Sequence, residues 1–429
     1  MAGPRGSGGR PAPLPRRGGP PADRAPLMSY VESSREPLRD LVDTPSALDA
    51  CLDALSEATG PVAFDTERAH GHRYWPKAYL LQIRREGAGT WLIDPIAFED
   101  GSAAQLGALV AATGDATWLV HAASQDLPSM REVGIIPPAI FDTELAARLL
   151  AKPGASLGAL LEAELGVKLR KAHSADNWSK RPLPPSWLTY AALDVDYLIE
   201  LAQVLETELV QARRFDWARQ EFAETLERFS RAPEPRIDPW RRLSGVTTLR
   251  TPRQYAVARE LWRERDAIAA KRDRPPGWIL HDSAILAVAT AARDQVPGRA
   301  ELQQLSAFGA SQGQRYLTNW LAALDRVARM PESQYPPRRA PRDGLPHPKS
   351  WDRINPEAAA RWAKVRPAID ILACDLGGLQ PSLVAPPAVL QQAVFAHESV
   401  TEEILTSLGA RPWQAGFLAP AINEALGAE

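Results

Sequence analysis

The sequence predicts an α/β domain followed by two all-α helical modules, and three observations carry that expectation. Short apolar segments separated by turn-prone residues cluster between Gly60 and Asp94. Helical spacing dominates after Ala123. Two Pro-rich stretches, Arg231–Trp240 and Met330–Ser350, then interrupt an otherwise helical chain. Strands first and helices afterwards imply a sheet with helices packed on it.

Along the chain, residues 1–28 read as a disordered tail. Residues 1–26 are half Gly and Pro with several Arg, and lack the apolar run of a secretory signal. The strands follow as PVAFD, AYLLQIR and GTWLID, then helical spacing over Ala103–Ala112, a further strand TWLVH over Thr117–His121, and helical periodicity from Ala123 through Glu208. The expected organisation is an α/β domain over 29–230, a helical module over 240–330, a Pro-rich linker over 331–350 and a second helical module over 351–429. The two modules resemble each other at an offset near 100 residues, with Trp262 matching Trp362 and Phe308-Gly309 matching Leu408-Gly409. A duplicated helical unit accounts for that similarity.

The 429 residues suffice for about three domains. A net charge of −2 excludes a global basic field, so any nucleic-acid contact must be local. Between Arg250 and Pro275 eight basic residues face four acidic ones, an excess able to hold a phosphate backbone. Residues 351–429 carry five basic and nine acidic residues, a poor phosphate-binding surface for which self-docking or regulation is the expected role. Two cysteines are too few for a disulfide framework or a Cys-rich zinc site. No apolar run reaches the roughly 18 residues of a membrane span, so a soluble, cytoplasmic protein is expected. Most of the thirteen Trp residues, at helical spacing, read as core anchors rather than base-stacking platforms.

The sharpest local signal is Phe64-Asp65-Thr66-Glu67 at the end of the first strand. Alternation puts Asp65 and Glu67 on one face, about 7 Å apart, with Thr66 on the other. Two such carboxylates gain most from a shared divalent cation, and oxygen donors select Mg²⁺ or Mn²⁺. In Tyr190-Ala191-Ala192-Leu193-Asp194 the four-residue spacing lets a hydroxyl and a carboxylate address one site from a helix. Asp126 follows the TWLVH strand and enters the first turn of a helix, and Asp142 precedes a helical run as its N-cap. Lys168, Arg170, Lys171, Lys180 and Arg181 form a basic cluster before the Tyr190 helix, suited to substrate phosphates. His121, after a strand, reads as a packed histidine, and His70 and His72 have no Cys or His partners for zinc.

The ordered set FDTE, YLLQIR, WLIDP, HAASQDL, IFDTELAARLL and RPLPPSWLTYAALDVDYL resembles the Tyr-containing branch of the DEDD superfamily of 3′ to 5′ exonucleases, most closely the ribonuclease D family. The resemblance covers about residues 45–210. It implies a ribonuclease H-like α/β exonuclease domain followed by two HRDC-like helical domains. It also implies that Asp65, Glu67, Asp126 and Asp194 hold two Mg²⁺ or Mn²⁺ ions while Tyr190 orients the attacking water. The expected activity is 3′ to 5′ exoribonuclease action on RNA with a free 3′ end, such as tRNA precursors, releasing nucleoside 5′-monophosphates. Two alternatives stay open, a DNA exonuclease of the same superfamily and a non-catalytic RNA-binding scaffold.

Overall fold

The computed structural model describes residues 30–427, apart from 99–102, 171–172, 174, 310 and 340–343. The expected tail over 1–28 and the candidate Lys171 therefore lie outside the described residues.

Helix α1 (Pro45–Glu57) precedes the first strand. The Thr44 hydroxyl caps it by accepting from Ala47 N, and Leu48, Cys51 and Leu55 turn to the core. The sequence pattern shows no element before the strands that start after Gly60, so this helix is an addition to the expected order. Five strands follow, β1 (Val62–Arg68), β2 (Ala78–Arg85), β3 (Gly89–Ile93), β4 (Thr117–Val120) and β5 (Ala139–Asp142). They form one sheet in the order β3-β2-β1-β4-β5. β1, β2 and β3 are an antiparallel meander, whereas β4 and β5 run parallel to β1. The expected helical run from Ala123 is thus broken by β5. Its four residues, Ala139–Asp142, run straight into the helix at Thr143–Leu149, so no strand period stands out. The helical spacing over Ala103–Ala112 is realised as two short helices, Ala103–Leu106 and Ala108–Thr113.

β1 and β4 share a ladder only at Val62–Trp118 and Ala63–Leu119. Beyond Ala63, β1 has no strand partner on that side among the described residues, and the chain after β4 enters there through α2 (Leu127–Glu132). The space at the carboxyl ends of parallel strands is where α/β sheets place ligands. Helices α3 (Thr143–Leu149), α4 (Pro185–Asp196), α5 (Leu198–Gln211) and α6 (Phe215–Ser230) complete the layer. The main core includes Phe64, Ile83, Ile93 and Leu205, with Phe64 and Trp118 rings 4.8 Å apart. A smaller cluster of Leu80, Leu92, Trp178, Trp187 and Ala191 packs α4 against the sheet.

Two further apolar cores lie in the helical region, one around Trp240, Leu261, Ile285 and Trp320, the other around Trp351, Val365, Val394 and Leu418. Their helices repeat in kind: α7 (Pro252–Arg272), a short turn at Pro276–Ile279, α8 (Asp282–Ala291) and, later, α9 (Leu317–Arg329). The second set is α10 (Pro356–Asp375), a short turn at Pro381–Val384, α11 (Pro387–Ala396) and, later, α12 (Pro412–Leu426). No helix among the described residues is long and apolar enough to cross a membrane.

Candidate active site

β1 carries Asp65 and Glu67 on the face covered by α4, which itself carries Tyr190 and Asp194. Carboxylate oxygens of Asp65, Glu67 and Asp194 all lie within 4.8 Å of one another. Tyr190, one helical turn before Asp194, brings its hydroxyl beside the Asp194 carboxylate, as the i,i+4 spacing allows. Tyr190 is held against Trp178 and His173, with ring centroids 6.5 and 5.7 Å away. Trp178 is wholly buried and packs on Trp187 at 5.0 Å.

Asp126 stands outside that triad and close enough to be felt by it. It sits at the N-cap of α2, but its carboxylate makes no cap hydrogen bond. Instead Oδ1 accepts from the Thr66 hydroxyl at 2.8 Å. Ser129 Oγ lies 3.2 Å from the same Thr66 oxygen and donates to the Asp126 carbonyl. Arg68 approaches Asp126 Oδ1 at 4.0 Å and is tethered through the Gln125 carbonyl and, at 3.3 Å, the Gln125 side-chain oxygen.

Charge accounting explains what this cluster wants. Burial raises Glu67 to about 10, reinforced by Asp65, Asp194 and Asp126, with Arg68 opposing. Burial likewise raises Asp65 to about 6, against the Thr66 backbone N–H and Arg68. Asp126 and Asp194 rise well above the ordinary carboxylate range, first through burial and next through Asp65. Four carboxylates so enclosed hold protons unless a cation takes their place. The all-oxygen donor set of Asp65, Glu67 and Asp194 fits a hard divalent ion.

Asp142 has a different job. It caps α3 through Glu144 N and Leu145 N, and also accepts from Ala122 N and Ala123 N at 3.0 and 2.9 Å. It thereby braces the turn that leads to Asp126, with Ala122 at φ 61°. His121 is packed, its Nδ1 2.9 Å from Thr143 Oγ1, and burial lowers it to about 4.

The described members of the basic cluster have separate partners and settings. Lys168 pairs with Glu162 at 2.9 Å and Arg170 with Glu32 at 3.2 Å. Arg181 is spent on the fold: its guanidinium grips Asp94 at 2.5 and 2.6 Å and donates to the Tyr79 and Trp178 carbonyls. That pairing leaves it no free fork for a phosphate. Lys180 is exposed, 5.9 Å above the Trp187 ring.

Sequence reading missed Thr66, Arg68 and Gln82. Thr66 lay on the opposite face from the strand carboxylates, and only the folded chain brings Asp126 to it. Gln82 is paired in register with Asp65, is completely buried, and its side-chain amide has no hydrogen-bond partner among the described residues. A lone polar residue within the apolar run AYLLQIR was the available signal.

Three family models match the chain: "3'-5' exonuclease" over 40–210, "HRDC domain" over 254–324, and "3' to 5' exonuclease C-terminal domain" over 344–426. The last module is thus matched under a separate description from the first, although both had been expected to be HRDC-like. The chain is similar to Ribonuclease D of Acidiphilium cryptum, 31% identical over 72% of this chain and 80% of the relative. A crystal structure of a protein from Bifidobacterium adolescentis matches with TM-score 0.83 and 32% identity, covering 93% of this chain and 99% of that one. The structure of Escherichia coli RNase D shares the fold, with TM-score 0.67 and 23% identity over 91% of this chain and 99% of that one.

Proposed function

The chain belongs to the ribonuclease D family and is a 3′ to 5′ exoribonuclease, and from that premise we propose that it trims structured RNAs such as tRNA precursors one nucleotide at a time. The observation that carries the catalytic assignment is the convergence of Asp65, Glu67 and Asp194 within 4.8 Å beside the Tyr190 hydroxyl. The family's chemistry depends on divalent metal. In the proposed site Asp65, Glu67, Asp126 and Asp194 would hold two Mg²⁺ or Mn²⁺ ions, which would supply charge to acidify a water and to offset the leaving 3′ oxygen.

The chain's own groups supply the rest. Tyr190 keeps its proton, because burial and then Asp194 raise it above its ordinary value. It therefore acts as a donor that orients the attacking water, a positioning role rather than that of a base. Thr66 fixes Asp126, and Arg68 supplies the nearby positive charge that lowers Asp65, Glu67 and Asp126. Phosphodiester hydrolysis at the terminal linkage then yields nucleoside 5′-monophosphates. Lys180, exposed beside Trp187, is the member of the basic loop best disposed for a substrate phosphate. The description of the Escherichia coli relative as an exoribonuclease involved in structured RNA processing supports the substrate class. A cytoplasmic setting suits such a substrate and the free Cys51 and Cys374.

The test is digestion of a 5′-labelled RNA stem with a single-stranded 3′ tail, beside the same sequence as DNA. A ladder that shortens from the 3′ end of the RNA and stops near the stem is expected. Faster digestion of the DNA would move the substrate to the other sugar, and no digestion of either would leave a binding protein.

A further inference from the structure

Thirteen tryptophans are distributed over the chain, and only Trp75 and Trp278 among them are strongly exposed, each at 48%. They lie on the two sides of one join. Trp75 ends the segment that leaves β1 after Arg68, and Trp278 follows the C-terminus of α7 in the first helical module. Asp273, the αL residue that ends α7, accepts from Tyr74 N at 3.0 Å and Trp75 N at 3.2 Å. Tyr74 also donates its hydroxyl to Asp266 at 3.0 Å. The His72 ring meets Trp278 edge-on at 6.1 Å, and the Arg274 guanidinium lies 5.8 Å from the Trp278 ring.

We propose that Trp75 and Trp278, with Arg274, form a stacking platform for single-stranded RNA upstream of the 3′ end under cleavage. The proposal deepens the exoribonuclease reading and rests on it. Three features point to RNA as the occupant. Flat aromatic rings beside guanidinium groups match the base and phosphate of an unpaired nucleotide. The acidic residues of the join, Asp266 and Asp273, are turned inward onto Tyr74, Trp75 and Arg73, while Lys271, Arg272 and Arg274 stay exposed. The patch is also continuous with the catalytic wall. Arg73 Nε donates to Ser179 Oγ at 2.8 Å, and the neighbouring Trp178 packs against Tyr190. Trp75 is eight residues beyond Glu67, so it lies within about 28 Å of it by chain reach. An RNA strand whose end is at Asp65 and Glu67 would pass over the join.

The experiment measures binding and turnover separately on the full chain. A fluorescein-labelled single-stranded RNA of about ten nucleotides is titrated in EDTA by anisotropy, with wild type, Trp75→Ala, Trp278→Ala, Trp278→Phe and Arg274→Gln. Loss of one stacked base predicts a Kd about tenfold higher for each alanine variant. Trp278→Phe, which keeps a ring, should restore most of the affinity, and Arg274→Gln should weaken binding with a shallower salt dependence. With Mg²⁺ the same alanine variants should raise KM on the long RNA while kcat/KM on a dinucleotide stays at the wild-type value. Wild-type affinity in both alanine variants would overturn the platform. So would an equal loss on long RNA and dinucleotide, which would mark damage to the site itself. A wild type without nuclease activity would sink the exoribonuclease reading alone, because the EDTA titration still decides whether these rings bind RNA.

Discussion

Thr66 Oγ1 donates to Asp126 Oδ1 across 2.8 Å in a buried setting, so the residue between the two strand carboxylates holds the third. Alternation along β1 sends Asp65 and Glu67 to one face and Thr66 to the other, and each face has work to do. Thr66→Val keeps the shape and removes the donor. A hydrogen bond to a charged group contributes about 1.5–3 kcal/mol, so kcat/KM should fall by about ten- to a hundredfold. Thr66→Ser should recover most of it. Steady-state kinetics on one RNA decides, and an unchanged kcat/KM in Thr66→Val removes Thr66 from the machinery.

Tyr190 tests positioning against proton transfer. Tyr190→Phe deletes the hydroxyl and leaves the ring packed on Trp178. A drop of about a hundredfold in kcat, with the shape of the pH profile retained, is expected of a group that only orients water. Disappearance of a titrating limb from the profile would make Tyr190 an acid or base instead.

The carboxylate cluster makes metal-free stability depend on pH in an unusual direction. Asp65 and Asp142 at about 6, and Glu67 at about 10, lie above their unfolded values of about 4. The folded state therefore binds protons more tightly. The stability this contributes is complete below about pH 4 and is lost as pH rises through 6 and on towards 10. In EDTA the melting temperature should fall between about pH 5 and pH 8, and less steeply in Glu67→Gln. Added Mn²⁺ should raise it more at the higher pH, because protons must leave before the metal binds. A metal-free melting temperature that climbs over this range would be incompatible with the cluster described here.

The last helical module is docked on the exonuclease domain by a buried charge. Glu221 on α6 accepts from Arg411 at 3.1 Å, Trp413 Nε1 at 2.9 Å and Gln414 Nε2 at 3.1 Å. Trp413 stacks on Trp217 with centroids 4.7 Å apart. Arg411→Ala strands the Glu221 carboxylate, a change that costs about 3 kcal/mol or more. Limited proteolysis should then cut within 331–350 faster than in wild type, while dinucleotide hydrolysis persists. Equal cleavage rates would mean that this ion pair does not hold the module.

How much of this was legible beforehand follows from the range of each interaction. β1 to β4 were readable because each is an apolar run bounded by turn residues, whereas β5 passes without a break into the helix that Asp142 caps. Asp65 with Glu67, and Tyr190 with Asp194, were readable because two- and four-residue spacings fix a shared face within one element. Thr66 with Asp126, and Tyr74 with Asp266, join residues 60 and 192 positions apart, which no local pattern encodes. Arg181 shows the same limit from the other side. Its sequence neighbourhood is basic, yet its partner is Asp94, 87 positions away.

The most direct test of the catalytic assignment compares Asp65→Asn, Asp126→Asn and Asp142→Asn with wild type. Single-turnover cleavage of a 5′-labelled RNA in Mn²⁺ is read beside each melting temperature. The site predicts that Asp65→Asn and Asp126→Asn lose at least about a hundredfold in rate without loss of melting temperature, because charge stabilisation by bound metal is worth several kcal/mol. Asp142→Asn should instead lower the melting temperature. Near-wild-type cleavage by Asp65→Asn or Asp126→Asn, with loss confined to Asp142→Asn at unchanged melting temperature, would contradict the account.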